Sequence, residues 1–186
     1  MKISVAPLLK QPYGASEDYD LGEASIDERS QHAGLVEAGV RSIAGSLVFT
    51  HTNPGVYVAG ELAASVELEC GRCLDHFTAS LPVRVSEQYY ATMNVQTGAL
   101  LAAPPRDAYV IGHDFIIDVT PLLREQVLLE LPLKPLCRGS CAGICPTCGL
   151  DQNDRPHRHP AEADERWSRL RELLADFRPE DRREGG

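Results

Sequence analysis

The sequence predicts an α+β protein: a curved antiparallel β-sheet with a covering helix, a Cys/His metal-held loop segment and a C-terminal amphipathic helix. Three observations lead to this prediction. Between residues 45 and 86, apolar and polar residues alternate as they do in strands with one buried face. After Thr120 an apolar run lies between two prolines, which indicates a helix. The segment from Cys137 to His159 holds four cysteines and two histidines but few aliphatic side chains, so burial alone cannot order it.

The predicted strands follow from periodicity and turn residues. Residues 45–62 form a hairpin around the TNPG sequence at Thr52–Gly55, because Asn-Pro and Pro-Gly favour turns. Val66 and Leu68 alternate with glutamates in a second run at 64–69. The alternation continues at 77–86, where Pro82 indicates an edge position because proline cannot donate a backbone hydrogen bond.

A further hairpin and the central helix are predicted next along the chain. Tyr109–Ile111 and Phe115–Val119 have strand composition on either side of a Gly-His-Asp turn. Thr120 is expected to cap a helix in which Pro121 occupies the first position and which ends before Pro132.

We predict a single domain overall, with three parts. Residues 1–136 hold the sheet and central helix, and include an acidic, Gly- and Ser-containing segment at about 14–34 that is expected to be a mobile loop. Residues 137–177 hold the zinc-binding segment and the C-terminal helix, and 178–186 form a flexible tail. The apolar residues at helical spacing in the last helix are Trp167, Leu170, Leu174 and Phe177.

Charge and composition restrict location and partners. The sequence has no apolar run long enough to span a membrane and no secretory signal pattern, so we expect a cytoplasmic protein whose six cysteines are reduced. Its net charge of −9 differs from the basic excess of sequence-independent nucleic-acid binders. Any RNA contact must therefore be local, and a basic protein partner suits the average charge better.

The cysteines and histidines occur in pairs whose spacing suits a metal ion. Two C-x2-C turns allow two thiolates to converge on one ion, and a looser cysteine pair and a His-x-His pair supply four more donors. We predict zinc, one or two ions, with these ligands: Cys70, Cys73, Cys137, Cys141, Cys145, Cys148, His157 and His159.

The pairing of the ligands has two solutions. The local solution groups Cys145 and Cys148 with the two histidines, and leaves the other four cysteines for an all-cysteine site. The alternative pairs the two C-x2-C turns, as in a zinc ribbon. Free thiols or a redox pair would also account for cysteines, but two C-x2-C turns rarely arise by chance and no βαβ pattern surrounds them. The histidines have their own alternative as solvated loop residues.

Five motifs follow one another along the chain: VAPLLKQPYGAS near the start, ECGRCL at 69–74, LPLKPLC at 131–137, CAGICPTCGLDQN at 141–153 and DERWSRLRELL at 164–174. Together these motifs resemble the YceD family of large ribosomal RNA subunit accumulation proteins. Family members often have C-x-C after the CPxCG turn, where this sequence has His157-x-His159. The resemblance implies a cytoplasmic, metal-binding, non-catalytic factor that supports the synthesis, processing or stability of large-subunit (23S) ribosomal RNA.

Three functional hypotheses follow. In the first, zinc orders a recognition surface for ribosomal RNA or a basic ribosomal or assembly protein, with Arg72, Arg138, Arg155 and Arg158 as contacts. In the second, the zinc thiolates form a redox sensor. The third, a zinc-dependent hydrolase, is disfavoured because the ligands are in surplus and no HExxH motif is present. We expect no membrane partner and no small-molecule substrate.

Overall fold

The computed structural model of the protein describes residues 1–25, 33–160 and 165–176. The chain forms two compact units, Met1–Gly143 and Ile144–Gly186. Cys137 and Cys141, which follow the boundary predicted at 136/137, pack in one cluster with Cys70 and Cys73 within the first unit.

The fold is α+β with one curved, unclosed main sheet and few helices, in agreement with the predicted class. The described strands are β1 (Lys2–Ser4), β2 (Ser16–Ser25), β3 (Val40–Thr52), β4 (Gly55–Glu69), β5 (His76–Ala91), β6 (Tyr109–Ile111) and β7 (Ile116–Asp118). The described helices are α1 (Ala6–Leu9), α2 (Ala33–Glu37), α3 (Thr120–Glu130) and α4 (Ser168–Asp176), with a 3-10 turn at Glu165–Trp167.

The main sheet has the strand order β2-β3-β4-β5-β6. The long strands β3, β4 and β5 pair antiparallel, and the predicted hairpin at 45–62 is confirmed as part of β3 and β4. The run at 64–69 continues β4 without a break, so its prediction as a separate strand is wrong. Gly60 allows close approach within the sheet, because a Cβ there would lie 2.3 Å from the Ser46 carbonyl oxygen.

Strand β5 has the predicted alternation and the predicted edge. Val83 and Val85 are buried, whereas the residues between and beside them are exposed. Pro82 pairs with Ala63 of β4 on one side, and within the described residues β6 pairs only with residues 89–91 of β5. Pro82 therefore lies on a free edge, as predicted.

The segment from 109 to 119 is not a hairpin. Strand β6 pairs in parallel with β5, whereas β7 pairs antiparallel with β1 in a separate two-stranded sheet. The two short strands thus have the predicted type but different partners. Strand partners are set by tertiary packing, which composition does not reveal.

The predicted loop at about 14–34 is wrong for residues 16–25, which form β2 on the edge of the main sheet. The side chains of residues 16–20 are all exposed. Because an edge strand can keep its side chains in water, this strand can have the acidic composition of a loop. Residues 26–32 lie outside the described part of the chain, as does the predicted tail at 178–186.

Helix α3 packs against β5 and ends before Pro132, as predicted. Its N-cap is Val119 rather than Thr120, because the Leu123 N–H donates the first intrahelical hydrogen bond to the Val119 carbonyl oxygen at 2.9 Å. Leu122, Leu123 and Val127 are fully buried in the core. No helix in residues 1–25, 33–160 or 165–176 is long and apolar enough to cross a membrane.

The C-terminal helix forms at 168–176 after the 3-10 turn. The side chains of Trp167 and Leu170 are exposed in this unit, with 59% and 47% of their surface accessible. The side chain of Leu174 and all of Phe177, which belong to the same predicted apolar face, lie outside what the structure describes.

Candidate metal centres

The first cluster consists of four cysteines from two separate parts of the first unit. Cys70 and Cys73 lie in the turn between β4 and β5, and Cys137 and Cys141 follow α3. Their Sγ atoms all lie within 4.8 Å of one another, with Cys70 to Cys141 at 3.9 Å and Cys73 to Cys137 at 3.7 Å. Cys137 is half-buried and the others are buried. Four thiols at this separation can converge on one tetrahedral metal ion.

Backbone hydrogen bonds fix the turn that presents Cys70 and Cys73. The Leu74 N–H donates to the Cys70 carbonyl oxygen at 2.9 Å, and Leu74 has a left-handed φ of 64°. The Cys70 N–H donates to the Asp75 carbonyl oxygen, also at 2.9 Å. The Gly71 N–H donates to the Pro135 carbonyl oxygen at 2.8 Å and so joins this turn to the segment after α3.

Arg72 makes a second connection between the two segments. Its Nη1 donates to the carbonyl oxygen of Cys141 at 2.7 Å. The Cys141 N–H in turn donates to the Arg138 carbonyl oxygen at 3.1 Å. Sequence reasoning gave Arg72 a partner contact and missed this internal bond, because spacing does not indicate where an arginine side chain points.

The second cluster lies entirely in the second unit. Its members are Cys145, Cys148, His157 and His159, whose donor atoms also lie within 4.8 Å of one another. Cys148 Sγ is 3.1 Å from His157 Nε2. Cys145 is buried and His157 half-buried, whereas Cys148 and His159 are exposed. This cluster is therefore more accessible to solvent than the first.

A tight turn presents the two cysteines of the second cluster. The Gly149 N–H donates to the Cys145 carbonyl oxygen at 2.8 Å, and Gly149 has a left-handed φ of 73°. The Cys145 N–H donates to the Leu150 carbonyl oxygen at 2.8 Å, and Ile144 forms an antiparallel bridge with Asp151. The arrangement repeats that of Cys70 to Asp75, although the sequences of the two turns differ.

The histidine segment is oriented by its backbone. His157 Nδ1 lies 2.7 Å from the Arg155 carbonyl oxygen, so a neutral ring carries its proton on Nδ1 and leaves the Nε2 lone pair for a metal. The rings of His157 and His159 meet edge to face, with centroids 5.0 Å apart. A backbone carbonyl oxygen that accepts from Nδ1–H, as that of Arg155 does here, commonly orients a metal-binding histidine.

The thiols of the first cluster do not share one acidity. Backbone N–H groups of Cys73 and Cys137 lower the pKa of Cys70 to about 6. Burial raises the pKa of Cys137. The backbone N–H of Asp75 favours the thiolate of Cys73, but burial and the neighbouring thiols outweigh it and raise that pKa. Cys70 therefore loses its proton more readily than Cys73 and Cys137, and a bound cation would displace the protons of those two thiols.

The second cluster has the same uneven acidity. The backbone N–H of Cys148, followed by that of Thr147, lowers the pKa of Cys145 to about 5. The Arg155 carbonyl oxygen, and then the Cys145 thiol, raise the pKa of His157. Hydrogen bonds to the turn backbone thus create a thiolate in each cluster.

The eight predicted ligands fall into two groups that correspond to the local pairing, and the zinc-ribbon pairing matches neither group. The four arginines that the sequence predicts as RNA or partner contacts are all exposed. Arg72 and Arg138 belong to the loops of the first cluster, and Arg155 and Arg158 to the loop of the second. Arg158 also lines an open cavity of the second unit together with His157 and His159.

Similarity to known proteins covers both clusters. The family described as large ribosomal RNA subunit accumulation protein YceD matches residues 58–174. Uncharacterised proteins of Mycobacterium tuberculosis and Mycobacterium bovis are each 36% identical over 121 residues, which is 64% of this chain and 56% of the relative. An uncharacterised Mycobacterium leprae protein is 31% identical over 130 residues, 67% of this chain and 56% of the relative.

The chain thus matches little more than half the length of these curated relatives. No solved structure matches it. The family match extends over more than half of the chain and includes all eight residues of the two clusters. The chain belongs to the YceD family of large ribosomal RNA subunit accumulation proteins.

Proposed function

We propose that the protein is a non-catalytic, zinc-binding, cytoplasmic factor that supports the accumulation of large-subunit (23S) ribosomal RNA. The observation that carries the proposal is the first cluster, in which four cysteines from the β4–β5 turn and the segment after α3 lie within 4.8 Å. Family membership supplies the connection to ribosomal RNA. In this role the metal orders a surface and takes no part in a reaction.

The donor sets favour structural zinc. Each cluster supplies four protein ligands, either four thiols or two thiols with two imidazoles, and both sets are typical of tetrahedral zinc. A catalytic zinc generally keeps one position open for water or substrate. A fully ligated ion has no such position, which argues for a scaffold rather than a zinc hydrolase.

The metal-held loops also carry the local positive charge. Arg138, Arg155 and Arg158 are exposed next to the clusters, in a protein whose net charge is −9. Guanidinium groups suit phosphate oxygens because they donate paired hydrogen bonds. We propose that these arginines contact ribosomal RNA phosphates while the metal holds their loops in place.

The test compares ribosomal RNA in cells that lack the protein and carry one of three replacement genes. The replacements are the wild type, Cys73→Ser, and Thr147→Ala, which changes a non-ligand residue within the second turn. Depletion and Cys73→Ser are expected to lower mature large-subunit RNA relative to small-subunit RNA, whereas Thr147→Ala restores the wild-type ratio. An unchanged ratio after depletion overturns the proposal.

A zinc-thiolate redox sensor is the second candidate, and the exposure of Cys148 favours it. Cys148 is exposed and lies in the same turn as Cys145, whose pKa is lowered to about 5. Thiolate character and access are the two properties that promote oxidation. Mild peroxide is expected to release zinc from the second cluster and not from the first. A folded protein that retains all its zinc in peroxide excludes the sensor.

A further inference from the structure

The main sheet has an open edge at β2. This strand pairs antiparallel with β3 along Ser16–Ser25, and it is the last strand of the sheet. Within residues 1–25, 33–160 and 165–176 no strand pairs with its other side. An unpaired edge presents a row of backbone N–H and C=O groups that can bind another extended chain.

The side chains along the β2 edge determine which charge an added strand should carry. Glu17, Asp18 and Asp20 are all exposed. A second copy of β2 would bring the same carboxylates together, and like charges across a strand pair are destabilising. A basic chain would instead form opposite-charge pairs. The edge therefore disfavours self-association and favours a basic partner.

A cleft of about 280 Å³ lies where β2 begins. Gln11 lines the cleft, and its Nε2 donates to Glu17 Oε1 at 2.9 Å, so the cleft wall is joined directly to the first acidic residue of β2. The volume is at the small end of ligand cavities, which suits one inserted side chain. Its other walls include Leu9, Tyr13, His51, Asn53, Ala91 and Gln96.

The walls suit a planar cation. The Tyr13 ring, whose residue is 69% exposed, lies 4.7 Å from the His51 ring. His51 Nδ1 is 2.7 Å from the Gln11 carbonyl oxygen, so a neutral ring keeps Nε2 as an acceptor. Aromatic faces attract guanidinium groups, and amide and imidazole acceptors take their N–H donors. Arginine has both properties.

We propose that a basic, extended segment of a protein partner adds to β2 as a further strand and inserts an arginine side chain into the cleft beside Tyr13. Tyr13 precedes the first β2 residue by three positions, or roughly 10 Å of extended chain, so one short segment can occupy both places. The inference deepens the proposed function and rests on it, since it gives a basic ribosomal or assembly protein a binding site separate from the metal-held loops.

The first experiment tests strand addition with a blocked peptide of about nine residues that alternates arginine and valine. Two further versions carry N-methyl groups on the odd or the even backbone amides. In a strand, alternate amides face the neighbouring chain. We expect the parent and one methylated version to bind, and the other version to bind about tenfold more weakly, by titration at about 0.1 M salt. Equal affinities of the two methylated versions overturn strand addition.

The second experiment locates the site. Triple replacement of Glu17, Asp18 and Asp20 by lysine is expected to weaken the parent peptide by about tenfold or more. The matched control is Glu61→Lys, an exposed acid on interior strand β4, which should leave affinity unchanged. Tyr13→Ala leaves β2 intact and should weaken the arginine peptide more than its lysine counterpart. Equal effects of the triple and control variants overturn the site.

Other occupants give different results. If single-stranded RNA or a second copy of the protein binds the β2 edge, and the basic peptide neither binds there nor displaces it, the edge is not a peptide site and the inference fails. The inference and the proposed function fail separately. If the peptide does not bind but large-subunit RNA levels still depend on the protein, only the docking site is overturned. Peptide binding with RNA levels independent of the protein overturns the proposed function.

Discussion

Leu74 and Gly149 occupy equivalent positions in the two C-x2-C turns. Each follows the second cysteine and donates its N–H to the carbonyl oxygen of the first, Cys70 at 2.9 Å and Cys145 at 2.8 Å. Both have left-handed φ angles, 64° for Leu74 and 73° for Gly149. Glycine adopts this conformation without steric strain, whereas leucine does not. The two clusters thus use the same turn conformation, although leucine and glycine differ in their preference for a left-handed φ.

Gly149→Ala is expected to weaken metal binding at the second cluster. A Cβ at Gly149 meets no atom within 4 Å, so the effect comes from backbone strain alone. The left-handed conformation costs an L-residue about 1 kcal/mol, or about a fivefold loss of zinc affinity. The measurement is competition with a chelator. Gly139→Ala is the control, since it also has open space but no left-handed φ, and it should leave affinity unchanged.

Leu74→Gly is expected to have the opposite effect at the first cluster. Strain relief of about 1 kcal/mol exceeds the entropic disadvantage of glycine, and the net stabilisation is about 0.5 kcal/mol in thermal or denaturant unfolding of the metal-loaded protein. Leu74 is 52% exposed, so little packing is lost. Leu100→Gly, at an exposed leucine without a left-handed φ, should destabilise. Equal destabilisation by both variants contradicts the strain argument.

Arg72→Met is expected to loosen the first cluster even in the absence of any partner. The substitution removes the 2.7 Å hydrogen bond from Nη1 to the Cys141 carbonyl oxygen and keeps most of the apolar stem. A partly exposed bond of this kind contributes about 1 kcal/mol, so zinc should transfer to a chelator several-fold faster.

Arg138→Met is the matched control for that experiment, because Arg138 is exposed and lies in the other loop of the same cluster. It should leave zinc transfer unchanged but weaken RNA binding. Equal zinc transfer from the two variants contradicts the structural role of Arg72.

The parts of the fold that the sequence predicts are those whose pattern is local. The alternation at 77–86 and the apolar run between Thr120 and Pro132 each indicate which of their own residues are buried. Both elements form where expected. Strand β2 was missed because an edge strand can keep acidic side chains in water. The pairing of β1 with β7 does not follow from the sequence, because paired residues such as Lys2 and Asp118 are far apart along the chain.

The clusters show the same division between local and tertiary information. Spacing identifies the C-x2-C pairs, since each turn is defined by its own few residues. The grouping of Cys137 and Cys141 with the β4–β5 turn depends on contacts such as Gly71 N–H to the Pro135 carbonyl oxygen. No spacing rule contains that contact, which is why two pairings were compatible with the sequence.

The ion pair of Arg41 and Glu67 should make stability depend on acidity. Arg41 Nε donates to Glu67 Oε2 at 2.7 Å, and this bond and the adjacent charge lower the pKa of Glu67 below its ordinary value of 4.5. The stability that this ion pair contributes is therefore present above about pH 4.5, and it is lost as the pH falls through the lowered pKa of Glu67. Arg41→Met should lower stability at neutral pH, with a deficit that shrinks on acidification.

Denaturant unfolding at a series of pH values measures that deficit. The control is Arg106→Met, which changes an exposed arginine in a loop. It should show no stability deficit that shrinks as the pH falls. A deficit for Arg41→Met that stays constant down to the acid-unfolded state contradicts the assigned ion pair.

Metal content should follow the two clusters independently. The ligand atoms of each group come from one compact unit, so removal of one ligand is expected to empty its own site and leave the other filled. Elemental analysis of protein purified without chelators should give two zinc ions per chain in the wild type and one each in Cys73→Ser and Cys148→Ser.

The two single variants should nevertheless differ in stability. Cys73 is buried with its cluster between the β4–β5 turn and the segment after α3, so its loss should destabilise the first unit. Cys148 is exposed in the second unit, and Cys148→Ser should leave unfolding of the first unit unchanged. One ion in the wild type that disappears in both variants means a single shared site and contradicts the two-cluster arrangement. Wild-type protein without metal contradicts zinc binding altogether.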